Sequence, residues 1–128
     1  MTNLKIDFWS SLVGLCRRLH ELMYESCDLE TAKHHLPLLA NLIQQLPRDD
    51  ESIIGAEAFS LYYELKGELV QAVEYRKREL ELMKKLFQDI RVNNYDTATK
   101  KALLEGRDEK VFETRIAIIR ALEEYREN

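Results

Sequence analysis

One stretch of the chain, from Ala56 to Ala72, reads AEAFSLYYELKGELVQA. Apolar residues recur there at three- and four-residue steps on both sides of Gly67, which is the spacing of one face of an α-helix. Glycine readily adopts the left-handed backbone conformation that ends many helices. The stretch therefore predicts two antiparallel helices joined by a short turn at Gly67.

The same helical spacing continues along the rest of the chain. It predicts helices over residues 4–26, 28–46, 51–66 and 68–91, then a short helix that reaches Glu105 and a last helix over 108–126. Asp28 is a suitable N-cap, Pro37 should kink the second helix, and Gly106 should close the fifth. Residues 93–97 are typical of a loop. No window alternates at strand spacing, so the fold class is all-α.

A weak internal repeat accompanies these helices. A shift of 40 residues places Leu19 on Phe59, and a shift of 39 places Gly67 on Gly106, with other apolar positions superposing in both cases. Repeated helical pairs of this length are typical of stacked arrays, in which each pair packs on its neighbours. We therefore expect three antiparallel helical hairpins stacked in one domain over residues 1–128.

The middle hairpin resembles a tetratricopeptide repeat. Phe59, Tyr63, Gly67 and Ala72 fill, in order, the bulky, aromatic, turn and small positions of that family's pattern. The chain departs from the pattern at five further positions, which are Ala56, Ser60, Arg76, Glu79 and Lys84. The resemblance implies a short right-handed array that binds a peptide or helix against the first helices of its hairpins. HEAT-type helical pairs are the alternative, because repeats of 39 and 40 residues exceed the usual tetratricopeptide length.

Composition and charge exclude several classes of protein. The 128 residues are 45% hydrophobic and 33% charged, with a net charge of −4. The chain is thus too apolar for a disordered tail, and it lacks the basic excess of a nucleic-acid-binding protein. The basic run Arg76-Lys77-Arg78 is interleaved with glutamates, as on a solvated helix face. There is neither a membrane-spanning stretch nor a secretion signal, so we expect a cytoplasmic protein.

The residues that carry chemistry in enzymes do not form a familiar motif here. His34 and His35 are adjacent, so on a helix they point about 100° apart and cannot readily share a metal. Cys16 and Cys27 lie about 16 Å apart along one predicted helix, too far to form a disulfide, and both are expected to be buried. Phosphate-binding loops and nucleophile elbows are absent from the sequence. We therefore expect no catalytic residue, metal or cofactor.

Two arginines interrupt apolar stripes. Arg76 and Arg115 lie among residues that we expect to be buried, and two interpretations are open. Their methylenes could pack while the guanidinium groups reach the rim. Alternatively, each could form an ion pair between layers, with Glu64 or Glu105 as partner. The tyrosines Tyr62, Tyr63 and Tyr75 are expected in the core, with hydroxyls that need polar partners or could line a groove.

These patterns favour a non-catalytic protein–protein interaction module. If the tetratricopeptide resemblance holds, the partner-binding residues of the middle hairpin are Ile54, Glu57, Leu61, Glu64 and Leu65. That surface mixes apolar and acidic groups, so it would suit a basic, amphipathic segment of another protein.

Two alternatives remain. The first is a self-associating structural protein, since the first helix is apolar around much of its circumference and could bury a patch in a homo-oligomer. Its self-association residues would be Phe8, Trp9, Leu12 and Val13. The second, from a different class, is a small enzyme or ligand-binding bundle that uses the tyrosines and histidines.

Overall fold

The computed structural model describes residues 2–47 and 50–127, with side chains for residues 7–47 and 50–126. All regular structure in these residues is helical, which confirms the all-α prediction. A single π-helical turn, Glu21–Glu25, follows the first helix. The α-helices, in chain order, are α1 (Thr2–His20), α2 (Leu29–His34), α3 (Leu36–Gln44), α4 (Ile53–Leu65), α5 (Leu69–Val92), α6 (Thr97–Leu104) and α7 (Glu109–Glu127).

The first predicted helix ends where the π turn ends. Ser26 donates its backbone N–H to the Glu21 carbonyl at 2.8 Å, and Cys27 then takes a φ of +51°, which is rare for a residue other than glycine. Cys16 is buried on α1, but Cys27 is exposed beyond the helix. The prediction that both cysteines are buried on one helix is therefore wrong for Cys27, because the chain leaves the helical conformation before it.

Pro37 divides the second predicted helix in two. Asp28 caps α2 as expected, since its carboxylate accepts from the backbone N–H of Thr31 at 3.2 Å. The helix then breaks at His35, and Pro37 lies in the first turn of α3. A proline fits there because the first helical N–H groups have no intrahelical acceptor. The predicted kink is thus a complete break.

The hairpin of α4 and α5 matches the prediction closely. Ser52 caps α4 by accepting from the backbone N–H of Gly55 at 3.0 Å, and Gly67 turns the chain with a φ of +78°. Phe59 and Tyr63 of α4 stack on Tyr75 of α5, with ring centroids 4.8 and 5.6 Å away. The three rings are half-buried, so they join the two helices along one side of the hairpin.

The largest core cluster lies between α1, α3 and α4. Its fully buried members include Leu12, Leu19, Leu39 and Leu61. Burying a leucine of this kind is worth about 1.5–3 kcal/mol of hydrophobic free energy. This cluster packs α4 against α1 and α3, and α4 makes a further, more extensive contact with α5.

A second cluster joins α5 to α7. Ala72 and Val73 of α5 are buried against Ile118, Ile119 and Leu122 of α7. The two helices are antiparallel, because Phe112 near the start of α7 contacts Phe87 near the end of α5. No residue of α6 is buried. The sequence predicted a third hairpin in which the fifth and sixth helices pair, whereas α7 packs instead on the preceding hairpin through α5.

Gly106 adopts a φ of +71° between α6 and α7, as its predicted role in closing the fifth helix requires. In the part of the chain that the structure describes, no helix combines the length and apolarity needed to cross a bilayer.

Candidate functional site

Where α1, α4, α5 and α7 meet, the interior contains a network of polar and charged side chains. Its members are His20 of α1, Glu57 of α4, Arg76 and Glu79 of α5, and Arg115 of α7. Charged side chains are rarely buried unless they are paired. The network is therefore the most unusual chemical feature of the described residues.

Arg76 and Glu79 form its innermost pair. Both are essentially without solvent exposure, and Arg76 Nη1 donates to Glu79 Oε1 at 2.8 Å. Burial alone would lower the pKa of Arg76, but the charges of Glu79, Tyr24 and Glu57 and the hydrogen bond to Glu79 raise it above its usual value. Arg76 Nε is buried without a hydrogen-bond partner. The negative charges of Glu79 and Glu57 thus stabilise Arg76 as a cation in the core.

Arg115 links α7 to the same carboxylates. Its Nε donates to Glu79 Oε2 at 3.3 Å, and its Nη2 lies 3.7 Å from Glu57 Oε1. Both arginines are paired with carboxylates, and the snorkelling interpretation is wrong for the fully buried Arg76. The predicted ion pair between layers is correct only for Arg115, because Arg76 pairs with Glu79 on its own helix. The expected partners are wrong as well, because Glu105 is exposed and Glu64 bonds elsewhere. Arg115 is paired with glutamates of α4 and α5.

The ring of His20 connects Arg76 to Glu57. Arg76 Nη2 lies 3.0 Å from His20 Nε2, and since a guanidinium can only donate, Nε2 must accept. The ring is therefore neutral with its hydrogen on Nδ1, which lies 2.9 Å from the Cys16 carbonyl oxygen and 3.0 Å from Glu57 Oε1. These contacts join α1, α4 and α5, and Arg115 adds α7.

The network sets the ionisation of Glu57. Burial would raise the pKa of this carboxyl, but the hydrogen bond from His20 and the positive charges of Arg115 and Arg76 outweigh it. Together they lower the pKa from its ordinary 4.5 to about 2. Glu57 therefore remains a carboxylate at any physiological pH, with its charge offset inside the chain.

Glu64, two turns further along α4, lies in a different environment. Its carboxyl accepts a hydrogen bond from the hydroxyl of Tyr24, in the π turn. Burial raises the pKa of Glu64, although the Tyr24 hydrogen bond and the positive charge of Arg76 oppose that effect. Burial likewise raises the pKa of Tyr24. This carboxyl has no cation bonded to it.

Two openings lie on either side of the network, between α4 and α7. The first opening, which we name the polar cavity after the charged side chains in its wall, has a volume of about 250 Å³. Those side chains are Arg17, His20, Glu57, Arg107 and Arg115. The second opening, which we name the α4–α7 groove, has a volume of about 820 Å³. Its wall is mostly apolar, and its buried members are Met23, Leu65, Ile118 and Leu122.

The predicted partner-binding residues are distributed unevenly around these openings. Ile54 and Glu57 line the polar cavity, and Glu64 and Leu65 line the α4–α7 groove. Leu61 differs from the expectation, because it is fully buried in the core cluster and offers no surface to a partner. The predicted partner-binding face of α4 is thus covered at Leu61, in its middle, and borders an opening at each end.

The predicted self-association residues are partly used within the chain. Leu12 is fully buried in the core against α3 and α4, so the chain itself covers it. Phe8 and Trp9 pack edge to face with centroids 5.0 Å apart and remain half-buried against the same cluster. Val13 is half-buried and lines the polar cavity.

Sequence reasoning missed His20 and Glu79 as network members, and it missed Tyr24 as the hydrogen-bond partner of Glu64. Glu79 was interpreted as part of a solvated face, yet only 1% of it is exposed. A signal was present, because Glu79 and Arg76 are both positions where the middle hairpin departs from the tetratricopeptide pattern. Two opposite charges three residues apart inside an apolar stripe indicate a buried pair.

The remaining candidates for chemistry are inert or dispersed. Burial raises the pKa of the Cys16 thiol, which disfavours the reactive thiolate. His34 is exposed, and His35 Nδ1 lies 2.9 Å from the Thr31 carbonyl oxygen. Within residues 2–47 and 50–127, no three histidine, cysteine or acidic side chains are grouped as metal ligands.

The chain matches no protein-family model, no curated protein and no solved structure.

Proposed function

We propose that the protein is a non-catalytic, tetratricopeptide-like interaction module that binds an amphipathic helix of a partner protein in the α4–α7 groove. In this proposal α1 pairs with α2 and α3, α4 pairs with α5, and α7 acts as the first helix of a third unit. The packing of α4 on α1, α3 and α5 supports this arrangement. The groove then lies among the first helices, where such arrays bind their ligands.

The observation that carries the proposal is the apolar character of the groove combined with large exposed residues at its edges. Leu29 on α2 is 51% exposed and Tyr125 on α7 is 77% exposed, and both line the groove. Tyrosine and leucine side chains exposed beside an apolar depression are typical of a protein-binding surface. Their burial by a partner would remove apolar area from water.

The α7 wall of the groove favours a helix as the occupant. Ala117 and Ala121 are exposed one turn apart, with Tyr125 one turn further. Small side chains at this spacing let a second helix approach closely, and the tyrosine can pack against its side. An amphipathic helix that places apolar residues at i, i+4 and i+7 in such a groove is a recurrent mode of recognition.

A display experiment tests the proposal. Helical peptides of about 18 residues, or five turns, are selected from a phage library against the protein. Binding of each selected peptide is then compared with Ala121→Glu, which places a charge in the groove, and with the control Val92→Glu. Val92 is 68% exposed on α5 and is not among the groove residues, so its substitution should leave the site intact.

The expected result is a family of peptides with an apolar stripe, whose affinity falls at least tenfold with Ala121→Glu and is unchanged with Val92→Glu. Circular dichroism of both variants controls for folding. Peptides that bind all three proteins equally would overturn the proposal.

The half-buried pair of Phe8 and Trp9 supports a second proposal, self-association through the first helix. The intramolecular core covers one side of both rings and leaves the other side partly exposed. A second copy of the chain could cover the remainder. This surface lies on α1, apart from the residues that line the α4–α7 groove, so both proposals can hold together.

A further inference from the structure

We propose that the helix bound in the α4–α7 groove presents a lysine or arginine to Glu64, and that this pair sets the charge specificity of the site. The inference rests on the proposed function and adds the chemistry of the partner.

The position of Glu64 is the first step of the argument. Its carboxyl lines a groove whose wall is otherwise largely apolar, and its residue is half-buried. A half-buried carboxylate without a bonded cation carries a desolvation cost that the Tyr24 hydrogen bond and the charge of Arg76 offset only in part. A cationic group delivered by a ligand would remove that cost, which makes the carboxyl a selective feature of the groove.

The described groups around Glu64 do not themselves supply a cation bonded to its carboxyl. Tyr24 of the π turn donates to one carboxyl oxygen, Oε1. The charge of the buried Arg76 of α5 acts on this carboxyl, but the guanidinium donates to Glu79 and to His20 of α1. The residues of α7 that line the groove are uncharged, from Thr114 to Tyr125. Among the residues whose side chains are described, the carboxyl therefore has a hydrogen-bond donor but no ion-pair partner.

Two lysines lie at the rim of the groove, and their effect on a ligand is weaker. Lys66 is exposed, and its Nζ lies 3.7 Å from Glu68 Oε1 and 3.3 Å from the Tyr62 hydroxyl. Lys33 on α2 is also exposed. Water and salt screen exposed charges, and pairs formed with them contribute little. The half-buried carboxyl of Glu64 therefore dominates the charge preference of the site.

The contrast with Glu57 supports this assignment. Glu57 has His20 Nδ1 at 3.0 Å and Arg115 Nη2 at 3.7 Å, so its charge is already balanced. The two carboxyls project from the same side of α4, yet only Glu64 lines the apolar groove without an ion-pair partner of its own. A basic segment is thus attracted to Glu64 rather than to both glutamates.

A double-mutant cycle tests the pair. A peptide selected against the groove that carries a lysine is synthesised with that lysine and with norleucine, its uncharged apolar analogue. Affinities of both peptides for the wild-type protein and for Glu64→Gln are measured by fluorescence anisotropy at pH 8. Glutamine preserves an acceptor for Tyr24 while removing the charge.

We expect norleucine to weaken binding at least tenfold with the wild-type protein and less than twofold with Glu64→Gln. Lysine-peptide affinity should also rise with pH as Glu64 ionises in the wild-type protein, and should stay flat in Glu64→Gln. Selection repeated against Glu64→Gln should yield peptides with an apolar residue at the lysine position.

Two outcomes would overturn the inference, and they are distinguishable. In the first outcome, norleucine lowers peptide affinity by the same factor with the wild-type protein and with Glu64→Gln, while Ala121→Glu still blocks binding. The groove then binds helices, but Glu64 does not select their charge. If no selected peptide responds to Ala121→Glu, the proposed function fails and the inference fails with it.

Discussion

Glu57 and Glu64 lie about two turns apart on α4, and the protein shifts the pKa values of their carboxyls in opposite directions. Glu57 is held ionised by His20 and Arg115, whereas burial in the groove favours the protonated form of Glu64. One helix therefore carries a carboxylate that stabilises the fold when charged and a carboxyl that destabilises it when charged.

Substitution of Glu57 should be costly at neutral pH. The pKa of this group falls from an ordinary 4.5 to about 2 on folding, so its contribution to stability is present above the unfolded value and is lost as pH falls toward 2. Glu57→Gln should lower the free energy of unfolding by about 3 kcal/mol at pH 7. Urea unfolding of both proteins from pH 7 to pH 3 measures the difference, which should narrow with acidification; a pH-independent difference would contradict the ion pairing.

Substitution of Glu64 should have the opposite sign. Because folding raises the pKa of this group, the ionised carboxyl opposes folding, and stability is lost as pH rises through the folded value. Glu64→Gln should therefore melt at a higher temperature than the wild-type protein at pH 7 to 8 and at the same temperature at pH 4 or below. A variant that melts lower at pH 8 would show that the charged form of Glu64 is stabilised within the chain.

The two members of the innermost pair should not be equivalent. Glu79→Leu leaves the buried guanidinium of Arg76 with only His20 as a hydrogen-bond partner, and should cost about 3–5 kcal/mol. Arg76→Leu should cost less, because Glu79 keeps the hydrogen bond from Arg115. The double variant should be more stable than the sum of the single losses predicts. Urea unfolding measures all three, and strict additivity would show that the residues do not interact.

Two glycines should respond in opposite ways. Gly67→Val should cost more than about 1 kcal/mol, because a β-branched residue fits poorly at a φ of +78°. Gly14 is helical and exposed, and beyond its chain neighbours and the backbone of its own helix no described atom lies within 4 Å of the position a Cβ would take. Gly14→Ala should therefore stabilise α1 by roughly 0.5–1 kcal/mol. Thermal unfolding compares the pair, and a Gly67→Val protein that melts with the parent would place the turn elsewhere.

Trp9 reports on self-association. If a second copy covers the exposed part of its ring, dilution should shift its fluorescence to longer wavelength, and Trp9→Glu should sediment as a monomer. Trp9 is the sole tryptophan, so the emission comes from this contact alone. A wild-type protein that sediments as a monomer at high concentration would end the self-association proposal. Leu12 offers no comparable test, because it is buried within the chain.

The helices were predictable because their cause is local. Apolar spacing, the cap at Asp28 and the turn at Gly67 each act within a few residues, and the structure contains all three. The break at Pro37 was anticipated as a kink, since one missing N–H is visible in the sequence. These features depend on hydrogen bonds between near neighbours along the chain.

The polar network was not predictable in the same way. His20 and Arg76 are 56 residues apart, and Arg115 and Glu79 are 36 apart, so their pairing depends on how whole helices pack. Helical periodicity shows which face a residue occupies but not which helix covers that face. The same limitation applies to Leu61, which was placed on the correct helix but is covered by α1 and α3 rather than open to a partner.

The attachment of α7 has a consequence for how tightly any ligand can bind. This helix follows a connection that includes α6, which has no buried residue, and it packs chiefly on α5, with Arg115 reaching Glu57 of α4. Helices with few neighbours open at a lower free energy than the rest of a domain, so amide exchange in α7 should exceed that in α4. Since α7 forms one wall of the groove, molecules with α7 undocked have no site. The measured dissociation constant is then the intrinsic value divided by the docked fraction, and substitutions that strengthen the α5–α7 contact would tighten binding without touching the ligand.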